Sequence, residues 1–170
     1  MPIIDDIEAA VPALHRYARS LVPHRHDADD LVQDCLVRAF SRLPAEGAHE
    51  TVLPWLFTIL HNLSVSRWRM LRRRGQVVAV DTAAADPRLS VPATQESASL
   101  RRDLLRGFEQ LSPEHQQVLL LVSVEGLEYQ QAATVLKIPV GTVMSRLSRA
   151  RDALRAHLNG ATRPHLRRIK

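Results

Sequence analysis

Residues 75–99, GQVVAVDTAAADPRLSVPATQESAS, carry Gly75, Pro87 and Pro92 among small residues, and their apolar positions do not recur at helical spacing. On either side, apolar residues return every three or four positions, the period of an amphipathic helix. The chain is therefore predicted to be all-α, with two small helical domains at 1–74 and 100–170 joined by a flexible linker at 75–99. Sharing 170 residues, each domain has only a thin core of its own. VVAV could form a short strand, but it has no obvious partner. Fully extended, the 25 linker residues span roughly 80 Å.

Charge divides the chain in the same places. Residues 1–50 carry 5 basic and 9 acidic side chains, and 51–74 carry 5 and 0. The linker carries 1 and 3, and 100–170 carry 12 and 6, including a basic C-terminal tail. Nearly all the cations are arginines, whose planar fork suits phosphates and base edges. One basic run is ordinarily a solvated face; two runs on separate modules favour a polyanionic partner. Other classes are disfavoured. Cys35 stands alone, no CxxC or HxxxH pair offers metal-ligand spacing, and no Walker loop or magnesium-holding carboxylate cluster occurs. No cofactor, metal or catalytic site of its own is expected. The longest apolar runs are too short to span a bilayer, and the N-terminus MPIIDDIEAA is acidic where a signal peptide is basic, so a cytoplasmic location without membrane insertion is expected.

In HDADDLVQDCLVRAFSRL, Asp27 is the candidate N-cap, and Asp29 and Asp30 fall in the first turn, where carboxylates favour the positive helix end. Leu31, Val32, Cys35, Leu36, Ala39 and Leu43 share one arc, the predicted core face. Asp30, Gln33, Asp34, Val37, Phe40 and Ser41 share the other, a mixed acidic and apolar surface. The stretch TVLPWLFTILHNLSVSRWRMLRRR reads as a helix opening at Pro54. Trp55, Leu56, Ile59, Leu60, Leu63, Met70 and Leu71 then form an apolar arc, while Phe57, His61, Trp68 and Arg72 gather on a second face near Val65, Asn62 and Arg69. Two readings stand for that face. Bases stack on the rings while arginines hold the backbone, or the aromatics pack against a neighbouring helix and the arginines solubilise a helix end.

The second domain has sharper boundaries. LSPEHQQVLLLVSVEG offers Ser112 as N-cap, Pro113 at the first helical position and Gly126 beyond the last turn. EYQQAATVL, KIP and VGTVMSRLSRARDALRAHL then follow as helix, turn and helix. Val143, Leu147, Ala150, Leu154 and Leu158 make the buried stripe of the last helix. Thr142, Ser145, Arg146 and Arg149 face outward near its N-terminal end, where a recognition helix reads the major groove.

These segments resemble the sigma-70 family, in particular its extracytoplasmic-function (ECF) group, which keeps only regions 2 and 4. DADDLVQDCLVRAF resembles region 2.2, PWLFTILHNLSVSRWRMLRRR regions 2.3 and 2.4, and LSPEHQQVLLLVSVEGLEYQQAATVLKIPVGTVMSRLSRARDALR region 4. The resemblance implies a dissociable, non-catalytic RNA polymerase subunit for promoter-specific initiation. It implies that Asp30, Gln33, Asp34, Val37 and Phe40 bind the β′ clamp helices of core polymerase. It assigns His61, Asn62, Arg67, Trp68, Arg69 and Arg72 to the −10 element, and Thr142, Ser145, Arg146 and Arg149 to the −35 element. Another region 4 surface would hold the β flap, and an anti-sigma factor is an expected partner. Two rival classes are a sigma-like mimic or two-domain DNA-binding regulator that does not program polymerase, and an enzyme acting on nucleic acid. Against the family pattern, His61 stands where arginine is frequent, Ser66 where an acid is, and Glu128 where serine often caps the helix. The last change predicts a poorer N-cap, a loss of roughly 1 kcal/mol.

Overall fold

The computed structural model describes residues 2–43, 49–74 and 95–161. These residues are helical apart from short connections. The first bundle comprises α1 (Pro2–Leu21), α2 (Arg25–Phe40) and α3 (His49–Arg73), each packed on the other two. In the second, α7 (Val140–Ala161) packs against α4 (Gln95–Glu109), α5 (Pro113–Leu119) and α6 (Tyr129–Leu136). Helix α4 begins inside the stretch read as linker; VVAV lies outside the described residues.

Ile3, Ile7, Ala10, Leu14 and Tyr17 recur at three- and four-residue spacing, and α1 buries all of them. On α2, Leu31, Val32, Cys35 and Ala39 are buried as expected and Leu36 partly so. Leu43 leaves that arc because the helix ends at Phe40, and it is exposed. Asp27 is not the N-cap. The helix starts at Arg25, with His24 in the extended conformation before it, and the Asp27 side chain turns to Arg67 on α3. Burial pushes the Cys35 thiol up to about 12, and its Sγ lies 3.5 Å from the Leu56 carbonyl oxygen.

Two expectations for α3 are corrected, and for Phe57 the structure decides between the two open readings in favour of packing against a neighbouring helix. The helix begins at His49, so Pro54 lies inside it, forgoing one backbone hydrogen bond near the N-terminal end. Phe57 is fully buried and meets Tyr17 edge-on at 5.2 Å between ring centroids. Met70, placed on the apolar arc by periodicity, is exposed. Both side-chain positions follow the burial along α3, which packs on α1, α2 and α6: Val52, Leu56, Phe57, Leu60, Leu63 and Ser64 are buried, whereas Trp68, Arg69 and Met70 are exposed.

In the second bundle Pro113 opens α5 after Ser112, as expected. The helix then widens into a π turn at Leu120–Val124, and Gly126 ends it with φ +73, a conformation that strains any side chain. The N-terminus of α6 is better satisfied than the sequence suggested: the Glu128 N–H donates to Gln131 Oε1 at 2.9 Å, part of a capping box. Lys137 closes α6 in the left-handed region, φ 55, and Ile138 and Pro139 complete the turn. Gly107 lets α4 approach α7 closely, since a Cβ there would lie 2.8 Å from Leu154 Cδ1 and 2.9 Å from His157 Cδ2.

The two bundles touch. Helix α3 packs on α6 and α1 on α5. Between them Arg16 donates Nε and Nη2 to the two carboxylate oxygens of Glu125, each at 2.8 Å, and the Glu125 side chain is only 5% exposed. Those hydrogen bonds raise the pKa of the Arg16 guanidinium further.

Candidate nucleic-acid and partner interfaces

On α2 the outward face is built as the sequence predicts. Asp30, Gln33, Asp34, Val37 and Phe40 are all exposed, Val37 by 69% and Phe40 by 50%. With Leu31, Val32 and Cys35 holding the opposite side in the core, the helix cannot rotate to hide them. His26 Nδ1 lies 3.6 Å from Asp30 Oδ1 on the same face. Acidic groups around two exposed apolar side chains suit a protein partner better than a polyanion.

The face of α3 divides into an outer and an inner set. Trp68 is 49% exposed, and the Arg72 guanidinium lies over its ring, 5.1 Å from the centroid. Arg69 is exposed beside them and Asn62 is half-buried. His61 is half-buried too: its Nδ1 shares a 3.0 Å hydrogen bond with the Tyr17 hydroxyl, and the rings stack 6.4 Å apart. Burial lowers the His61 pKa, and the positive charge of Lys137, at the end of α6, lowers it further. Burial holds the Tyr17 phenol well above its ordinary range, so it stays protonated. Arg67 is half-buried and pairs with Asp27 across the α2–α3 contact. The structure thus gathers Trp68, Arg69 and Arg72 on one open surface, while His61 and Arg67 sit behind it with partners of their own.

Helix α7 presents Ser145 and Arg149 outward, with Thr142 and Arg146 partly covered. Val143, Leu147 and Ala150 are buried beneath them, which fixes the rotation of the helix. Ser145 Oγ donates to the Thr142 carbonyl at 3.1 Å. Arg146 Nη2 lies 3.0 Å from Glu114 Oε2, so the first turn of α5 holds one of the four expected groove-facing residues. Arg149 is exposed, its guanidinium available for a groove. Sequence reasoning did not find Glu114 as the partner of Arg146, Asp27 as that of Arg67, Tyr17 as that of His61, or the Arg16–Glu125 pair. In each pair the partners lie at least 32 residues apart, and only opposite charge, in three of the four, links them in the sequence.

Among the described residues no group of His, Cys, Asp and Glu is placed to hold a metal ion, and no helix is long and apolar enough to cross a membrane. The model of Sigma-70 region 2 matches residues 7–74, and that of Sigma-70 region 4 matches 101–154. The chain is 38% identical over 155 residues to the ECF RNA polymerase sigma factor EcfG of Rhodopseudomonas palustris, covering 91% of this chain and 83% of that one. It is 36% identical over 168 residues to the ECF sigma factor SigL of Mycobacterium tuberculosis, covering 96% and 92%. Among solved structures it is similar to the sigma factor RpoE of Bartonella quintana, seen in complex with the anti-sigma factor NepR, with TM-score 0.69, 27% identity and coverage of 94% and 97%. Two sigma-70 regions in order, with a helix-turn-helix in the second, place the chain in the ECF sigma factors of the sigma-70 family, non-catalytic RNA polymerase subunits that direct transcription initiation.

Proposed function

We propose that α2 is the docking helix for core RNA polymerase, with Asp30, Gln33, Asp34, Val37 and Phe40 meeting the β′ clamp helices. The observation that carries this reading is the exposure of Val37 and Phe40 among acidic groups on a helix whose other face is locked in the core. Trp68, Arg69 and Arg72 form the outer −10 surface. Arg72 stacked on Trp68 offers a cation and an aromatic plate to an unpaired base and its phosphate. Asn62 reaches the same strand, while His61 and Arg67 contribute by holding that face in place through Tyr17 and Asp27. Thr142, Ser145, Arg146 and Arg149 read the −35 element, with Arg149 as its free bidentate donor. Region 4 also binds the β flap. The protein works in the cytoplasm, and an anti-sigma factor, as NepR is to RpoE of Bartonella quintana, regulates it by covering these surfaces.

Run-off transcription with purified core polymerase tests the reading. Asp34→Arg combined with Val37→Asp abolishes core association and transcript while helical content is retained; normal core affinity in the folded double variant removes the α2 assignment.

A further inference from the structure

Arg146 and Arg149 stand one turn apart on α7, yet their guanidinium groups are held differently. Arg149 is exposed. The Arg146 side chain is only 24% exposed, and its Nη2 lies 3.0 Å from Oε2 of Glu114, whose own side chain is 64% exposed in the first turn of α5. Both ends of the pair are fixed from the core. Val143, Leu147 and Ala150 set the rotation of α7. On α5, the buried Gln116 side chain donates Nε2 to the carbonyl oxygens of Phe108 and Leu111, at 3.0 and 3.2 Å, which ties the first turn of α5 to the end of α4.

An ion pair this open to solvent contributes little to stability. Its effect on DNA binding is another matter, because it decides how the arginine is presented. A guanidinium carries five N–H donors in a rigid plane. With Nη2 engaged by Glu114, the remaining donors keep one orientation beside Ser145 and Arg149. Without the carboxylate, the long side chain is free to swing to any phosphate within reach, and a phosphate contact carries no sequence information.

We infer that Glu114 is a specificity-determining residue of the DNA-reading surface: through its ion pair it holds Arg146 in one orientation at the edge of the groove-facing side of α7 and withholds it from indiscriminate phosphate contact. Glu114 touches no base. It is a positioning residue that acts through Arg146, and the inference rests on the proposed reading of the −35 element by α7.

The test uses holoenzyme, the full chain bound to core polymerase. It is offered a pool of duplexes randomised over the upstream promoter element, from which bound molecules are sequenced, and a scrambled duplex whose binding is titrated with salt. Glu114→Ala should lower the preference at one base pair about ten-fold. Its binding to the scrambled duplex should strengthen and become steeper in salt by one added phosphate contact, an extra loss of about 3.5-fold between about 50 and 200 mM. Introduced into Arg146→Ala, the same Glu114→Ala substitution should change neither quantity. A merely structural role would move the urea midpoint and leave the salt dependence alone. Wild-type preference and salt dependence in folded Glu114→Ala overturn the inference, as does an effect that persists when Arg146 is already absent. Arg149→Ala separates the two levels of the argument. If it leaves the selected sequences unchanged, the −35 assignment itself fails and the inference with it; if it alters them while Glu114→Ala is silent, the inference alone fails.

Discussion

His61 shows how burial changes what one residue can do. As a free imidazole it would titrate near its ordinary value and offer a cation to phosphate. Here burial and then Lys137 lower its pKa, and Tyr17 occupies its Nδ1. Because the folded-state value lies below the unfolded one, His61 contributes stability that is fully present above the ordinary histidine range and lost as pH falls through the lowered value. Protonation would also set two cations, His61 and Lys137, against each other across the domain contact. Thermal unfolding between pH 8 and pH 5 should therefore show an acid-side loss of Tm that His61→Gln reduces. A titration unchanged by the substitution would mean that other groups set the acid limit. Arg149 is the contrasting case, exposed and without a partner to release. Arg149→Ala should relax promoter selectivity at one base pair, a loss of about 1–3 kcal/mol of discrimination. Equal weakening on every sequence, measured by competition binding, would make it a phosphate contact.

Helix α3 carries two aromatic residues that periodicity placed on one face and the fold has separated. Phe57 is a core residue against Tyr17, and Trp68 stands outside with Arg72. Helix α3 packs against α1, α2 and α6, and Leu56, Phe57 and Leu60 are all fully buried, an arc wider than one stripe. The two substitutions should behave oppositely. Phe57→Ala costs about 3–5 kcal/mol through lost burial and a residual cavity. Trp68→Ala costs little stability but impairs opening of the −10 region, read by permanganate reactivity of unpaired thymines. Comparable destabilisation by both in urea unfolding would return Trp68 to the core. The helix-turn-helix was more legible: Pro113, Gly126 and the KIP turn mark its boundaries through local backbone chemistry, which distant contacts scarcely alter.

At the scale of the molecule, the two basic blocks belong to separate bundles, so their phosphate contacts should act on different DNA steps. Arg72→Ala should lower the salt dependence of promoter binding by about one counterion per phosphate lost, without changing sequence preference. The contact of α3 with α6 and of α1 with α5 joins the two bundles in the structure.

The sequence alone determined the all-helical class, the two blocks, the outward face of α2 and the buried stripe that turns Ser145 and Arg149 of α7 outward, because each depends on apolar periodicity and capping within one segment. Tertiary structure decided what those patterns leave open. It buried Phe57, exposed Met70, gave Arg67 to Asp27 and Arg146 to Glu114, and joined Arg16 to Glu125 across 109 residues. A periodic pattern states that a face is apolar or charged, but only the packing of other helices supplies the partner. Partners drawn from distant segments leave no spacing in the sequence by which to find them.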